Sequence, residues 1–259
     1  MEPISIPIEE VMRFLVVLMR VSGIMLLAPL FSSHSIPFSV RTAFALILSL
    51  TMTPLLPLSA LPAGLNLGNI AGLVLSEVFI GAFLGFAAAC VFAGLQFAGQ
   101  IISFQLGFSV INVIDPQTQV ETSVFSFFQN YIGILFFLLM NGHHWFLMAI
   151  DESFRSLPVG GMQISGPFIE HLVRLSAEIL VIGVRIAGPI LAVTIITDVV
   201  IGVLGRAAPQ IHLLIVGMPV KLLVGFGCLS FSFYFLPRYL ETIYSSLYRT
   251  LFSLLHAMI

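Results

Sequence analysis

The sequence predicts an all-α integral membrane protein of about six long, partly kinked helices with a re-entrant loop, and three observations predict it. The composition is 59% hydrophobic and only 8% charged, with a mean hydropathy of +1.11, whereas soluble domains carry roughly a quarter charged residues. Runs of about twenty apolar residues, the length one helical span needs, stand at roughly 12–31, 42–58, 70–100, 125–150, 170–205 and 213–236. Between the third and fourth of these runs, residues 107–116 read GFSVINVIDP, a greasy stretch punctuated by glycine, an amide, a carboxylate and proline.

The first helix is expected to stay on the protein: MEPISIPIEE is acidic rather than basic, and no small-residue cleavage pattern follows the first apolar run. Cys90 and Cys228 lie inside apolar runs, where each reads as a small packing residue rather than half of a disulfide. No repeat of 20–50 residues, low-complexity tract or soluble domain interrupts the chain, so a single membrane-embedded unit spanning 1–259 is expected. The net charge of −2 and the scattered basic residues leave no nucleic-acid footprint. Basic residues fall on both sides of the alternating spans, and the positive-inside rule does not choose an orientation.

The third and fifth runs are too long for plain lipid-facing spans. From Asn69 to Phe104 a continuous helix would run roughly 50 Å at about 1.5 Å per residue, against a hydrocarbon core of about 30 Å. Near its far end Gln96 and Gln100 share a face with Ser103 beside them, and lipid would reject that amide face. Segment 170–205 carries Arg174, Glu178, Arg185 and Asp198, with a kink signal at Gly188–Pro189. A charge at mid-bilayer costs about 2.5–3.5 kcal/mol on insertion scales, so these groups face protein or water. Arg174 can pair with Glu178 one turn on, and Arg185 follows on nearly the same face. Two readings stay open, an ion-pair ladder satisfied within one helix and contacts across a subunit boundary. Gly81 and Gly85 form a GxxxG pattern that lets backbones approach. Glu77, one turn before them, is a candidate interface carboxylate, its plain alternative being a residue at the membrane boundary.

Gly107 and the Asp115–Pro116 step are helix-breaking signals. Irregular backbone at membrane depth is tolerated only where it is buried in protein or lines a water-filled cavity. Between the breaks stand Phe108, Val110, Ile111, Val113 and Ile114, apolar side chains of the kind that close a narrow passage by excluding water. The alternative is an ordinary re-entrant turn packed on neighbouring helices.

Catalytic motifs are not visible in the sequence. His143 and His144 in NGHHW are neighbours, pointing about 100° apart on a helix, without the i,i+4 spacing that grips a metal. A helix-end or turn role suits them, and no metal or other cofactor is expected. No nucleophile motif or phosphate-binding glycine loop appears, so an enzyme is not expected. In GRAAPQIHLLIVGMPVK, Pro209 and Pro219 with Gly205 and Gly217 are expected to divide a hairpin tip from its flanking helices. Arg206 and Lys221 frame the tip, and Gln210 lies in it; the simpler reading is a short turn held at the headgroups by its basic residues. The segment from Arg238, RYLETIYSSLYRTLFSLLHAMI, is amphipathic and fits either a membrane interface or a partner surface.

Four segments in order, RVSGIMLLAPLFSSHSIPFSVRTAFAL, GLQFAGQIISFQLGFSVINVIDPQTQ, NGHHWFL with SFRSLPVGG, and GRAAPQIHLLIVGMPVKLLVG, resemble the FliR family of flagellar export-gate proteins and its type III secretion counterparts. The resemblance covers nearly the whole chain. It implies a non-enzymatic, multi-pass subunit of the bacterial inner membrane and flagellar basal body, passing unfolded export substrates and assembled with FliP and FliQ. By the same resemblance, residues of about 1–165 are FliP-like, including a plug loop at 106–120. Residues of about 166–259 form a FliQ-like hairpin and a C-terminal helix. The 107–116 loop corresponds to the central plug of the closed gate, with Val110 and Val113 where some relatives carry phenylalanine. The Arg206–Lys221 hairpin would face the cytoplasm, where family members meet FlhB.

A stand-alone secondary transporter of a small solute is the competing reading. Such a protein is expected to show internal repeats and matched broken helices around a polar midplane site. The breaks at Gly107–Pro116 and Pro189 have no matching half in this sequence.

Overall fold

The computed structural model describes residues 7–32, 36–56, 67–108, 123–163, 165–208 and 213–258. Among them the chain forms eight helices: α1 (Ile8–Leu27), α2 (Pro29–Ser32), α3 (Phe38–Met52), α4 (Leu67–Gln105), α5 (Val124–Leu139), α6 (Gly142–Ser156), α7 (Gly166–Ala207) and α8 (Leu213–Ala257). The chain is an all-α integral membrane protein. Of the six apolar runs, those in α4, α7 and α8 give helices long and apolar enough to cross a membrane, and the broken pair α5–α6 gives a fourth span if counted as one. The run at 42–58 yields only the 15-residue α3, short of the roughly twenty residues a span needs.

Helix limits follow local chemistry. Glu9 and Glu10 occupy the first turn of α1, where carboxylates offset the positive end of the helix dipole. The helix stops at Ala28, forced extended (φ −65°, ψ 122°) because Pro29 follows it. Ser123 caps α5, its Oγ accepting the Ser126 N–H at 3.1 Å. The apolar stretch 125–150 breaks where Asn141 takes a left-handed conformation (φ 56°, ψ 31°) between α5 and α6, a geometry asparagine tolerates better than most residues. Three prolines lie within long helices without ending them: Pro189 inside α7, and Pro219 and Pro237 inside α8. Interior proline is tolerated in membrane helices because neighbouring groups take up the freed backbone carbonyls.

The chain divides into two compact units that interleave in sequence. The first comprises Met1–Cys90, Asn141–Leu175 and Ser245–Ile259. Its α1 presents Val16, Val17, Arg20, Val21, Gly23 and Ile24 inward, a helical face by spacing. Ile80, Leu84, Ala149, Ile150, Leu254 and Leu255 are buried in the same unit, and Phe83 meets Phe168 edge-on at 4.7 Å. The amphipathic end of α8 belongs here, with Leu247, Leu251 and Met258 buried and Trp145 against Tyr248 at 5.9 Å. Its last turn is tied to the segment before α7: Gln163 N–H donates to Met258 O (3.1 Å) and Ser165 Oγ to Ala257 O (2.8 Å).

The second unit comprises Val91–Met140 and Ser176–Tyr244. One core there joins Ile102, Leu106, Phe125, Ala187, Ile190 and Leu229. Another stacks Phe92, Phe137 and Tyr244 at centroid separations of 5.4–6.1 Å, and the buried Tyr244 hydroxyl donates to Gly133 O at 2.6 Å. The apolar windows of α7 and α8 are only 33% and 17% buried within the chain, against 61% for α4. Their outer faces therefore meet lipid or other proteins.

Candidate functional sites

Two places concentrate chemistry. In the first unit, α1 and α4 touch backbone to backbone. A Cβ on Gly81 would overlap Arg20 O, one on Gly23 would overlap Val78 O, and one on Gly85 would lie 2.6 Å from Ile24 O. The GxxxG pair thus fits helix contact, and the close approach puts Glu77 within reach of Arg20. Arg20 Nε donates to Glu77 Oε2 at 2.6 Å with both side chains fully buried. Arg20 Nη1 donates to Ser153 Oγ at 2.8 Å, and the Ser153 hydroxyl in turn donates a hydrogen bond to Ile150 O at 2.7 Å. The guanidinium carbon stands 3.7 Å from the Phe154 ring centroid, a cation–π placement. The second carboxylate oxygen accepts the Gly160 N–H at 2.9 Å, on a turn where Gly160 takes φ +73°. One ion pair therefore ties α1, α4, α6 and the turn after α6. Arg20 Nη2 has no hydrogen-bond partner among the described residues.

Glu77 was singled out from the sequence, but its partner was not. The signal was available, since an arginine inside the first apolar run needs a carboxylate somewhere.

The second place is the C-terminus of α4. Gly107 N–H donates to Phe104 O (3.1 Å) and Phe108 N–H to Ser103 O (3.0 Å), with Gly107 at φ +85°. This is a Schellman stop, whose left-handed residue is usually glycine. Phe108 then lies edge-on to Phe125 at 5.3 Å and to Phe226 at 6.4 Å. Beside it Lys221 Nζ donates to Asp198 Oδ2 at 2.8 Å, and Gln105 Nε2 reaches the same oxygen at 3.5 Å. Val110, Ile111, Val113, Ile114, Asp115, Pro116, Pro209 and Gln210 lie outside the described residues.

The remaining expected polar residues separate. Gln96 Nε2 donates to Asn130 Oδ1 at 3.1 Å and the Gln96 backbone carbonyl accepts from Ser126 Oγ, whereas Gln100 is exposed. Arg174 pairs with Glu170 (2.8 Å), not with Glu178 as expected, and both partners are largely exposed. A carboxylate one turn N-terminal to its cation is the better-oriented helical pair. Glu178 is half-buried, and Arg185 is exposed beside the Tyr239 hydroxyl. The hairpin frame also needs correction. Gly205 and Arg206 are inside α7, while Gly217, Pro219 and Lys221 are inside α8, so neither glycine nor Pro219 bounds a helix. Lys221 turns to Asp198 instead of framing a tip with Arg206. His143 and His144 lie at the start of α6 with rings 4.3 Å apart. Among the described residues no group of three or more His, Cys, Asp or Glu is placed to hold a metal ion.

Long apolar helices joined by a buried ion pair and glycine contacts, with a helix stop inside an apolar bundle, define a polytopic helical membrane protein without a catalytic constellation among the described residues. Residues 11–247 match the model of the bacterial export proteins, family 1. The chain belongs to that family, and its curated relatives carry the name flagellar biosynthetic protein FliR. It is 27% identical over 234 residues to the protein of that name from Escherichia coli (strain K12), covering 90% of this chain and 89% of the relative. It is 29% identical over 254 residues to the one from Pectobacterium carotovorum subsp. carotovorum, covering 96% and 94%. With the one from Bacillus subtilis (strain 168) it shares 30% identity over 217 residues, covering 82% and 83%.

Proposed function

We propose that this chain is a non-enzymatic structural and gating subunit of the flagellar protein-export channel in the inner membrane. In this reading it assembles with FliP- and FliQ-type subunits, meets an FlhB-type protein at its cytoplasmic hairpin, and passes unfolded export substrates. The assignment to flagellar export rests on the relatives, named flagellar biosynthetic protein FliR. Assembly with partners is supported by the sparse burial of α7 and α8 together with the exposed Arg185 and Gln100 on helices of this kind. Lipid alone is a poor partner for such groups.

The observation that carries the gating role is the stop at Gly107 with Phe108 seated between Phe125 and Phe226. It ends a long apolar helix within an aromatic core at the start of the segment 107–116, whose Val110, Ile111, Val113 and Ile114 act as the apolar plug of the resting channel. In the same scheme residues of about 1–165 play the FliP-like part and about 166–259 the FliQ-like part. The test is replacement of Val110, Ile111, Val113 and Ile114 together by serine in cells producing the whole complex. Retained partner association with new salt sensitivity or ion conductance is expected. A complex that assembles normally and stays as ion-tight as the parent would remove the plug from the scheme.

A further inference from the structure

We infer that Asp198 and Lys221 are positioning residues for the segment that leaves α4 at Gly107, holding the start of that segment against the α7–α8 hairpin. This rests on the gating role proposed above.

Four consecutive residues at the end of α4 each engage the hairpin by a different contact. Gln105 Nε2 reaches Asp198 Oδ2 at 3.5 Å. Leu106 occupies the space where Gly225 would carry a Cβ. Gly107 stands over Met218, whose Cε is 3.4 Å from where a Cβ would be. Phe108 lies edge-on to Phe226. Three of these contacts are apolar and non-directional, and they permit small slides and rotations. The fourth is electrostatic: the carboxylate of Asp198 joins Lys221 Nζ on α8 (2.8 Å) and the Gln105 amide on α4, so one anion fixes the register of three helices at the point where the chain turns. The Lys221 and Asp198 side chains are 22% and 46% exposed within the chain, so the pair contributes modestly to stability and acts chiefly by fixing the geometry of the three helices. Losing the pair would let the hairpin shift against Phe108, and with it the start of the apolar segment.

The test uses the full chain in its complex, with three variants: Asp198→Lys, Lys221→Asp, and the two combined. Each single reversal puts like charges together and is expected to raise ion conductance several-fold over the parent, with partner subunits still co-purifying. The combined variant restores opposite charges and is expected to return conductance close to the parental level. A residue that merely helps the chain fold would not show that rescue. If the reversals cost partner association, the milder Asp198→Asn and Lys221→Gln variants take their place, with a smaller leak expected and a tight channel overturning the inference. Single variants as tight as the parent, while the serine-substituted segment leaks, would overturn the inference and leave the plug standing. A combined variant as leaky as the singles would overturn it too. If the serine-substituted segment does not leak, the plug itself fails and the inference falls with it.

Discussion

Arg20 and Glu77, 57 residues apart in the chain, meet with Nε 2.6 Å from Oε2 and no solvent exposure on either side chain. The pair sits where glycines bring α1 and α4 into backbone contact, so charge and shape specify the same register. Removing one partner of a buried pair costs about 3–5 kcal/mol, because it strands the other charge, whereas removing both can be nearly neutral. Arg20→Met and Glu77→Leu are each expected to lower the melting temperature and yield of the purified complex severely. The double variant is expected to recover most of the loss. Equal loss in the double and single variants would mean that packing, not the pairing, holds these helices.

The α1–α4 contact predicts opposite signs for two glycine substitutions. Gly81→Ala forces a Cβ into Arg20 O, an overpacking expected to cost about 1–3 kcal/mol. Gly72 in the same helix is exposed, with nothing within 4 Å of an added Cβ. Gly72→Ala should therefore stabilise by about 0.5–1 kcal/mol through helix propensity. Thermal unfolding of both variants in one detergent checks the contrast.

At the end of α4 the strain is in the backbone alone. Gly107 takes φ +85°, while the nearest atom to an added Cβ, Met218 Cε, is at an ordinary 3.4 Å. Gly107→Ala is expected to cost about 1–2 kcal/mol, and Gly107→Asn less, since asparagine also serves at such helix stops. Thermal unfolding supplies the ranking, and equal stability of the two variants would argue that the stop relaxes without strain.

Tyr244→Phe tests the aromatic core of the second unit. It removes the hydroxyl that donates to Gly133 O while keeping the ring against Phe92 and Phe137. A loss of about 1 kcal/mol is expected, small enough that the complex still assembles. Failure to assemble would assign the hydroxyl a larger part than one hydrogen bond.

Residues whose role is set by local chemistry were legible in the sequence. Gly107 announced a helix stop, Gly81 and Gly85 a close helix contact, and the overlong apolar runs the long α4 and α7. What escaped depends on which helices meet. Arg20 was one more residue of a span until α4 brought Glu77 to it; Arg174, by contrast, pairs within its own helix with Glu170, the orientation that local helix geometry favours over Glu178. Pro219 and Gly217 carry turn signals, yet both lie inside α8, because a packed membrane helix can accommodate a proline that would end an isolated one. The amphipathic segment after Arg238 fitted two surfaces equally well from its pattern. It proved to fill the interior of the first unit with Leu251, Leu254 and Leu255.

That last feature sets an order on biosynthesis. Leu254, Leu255 and Met258 complete an interior whose other walls come from residues 1–90 and 141–175. At ribosomal rates of about 5–20 residues per second, roughly four to seventeen seconds separate the synthesis of Leu175 from that of Met258. Throughout that interval the membrane insertion machinery or a chaperone must shelter an unfilled cleft between segments that have already been made. A premature stop codon near Ser245 would leave the cleft permanently open, and membrane quality-control proteases would be expected to clear the product even though every long apolar run had been translated.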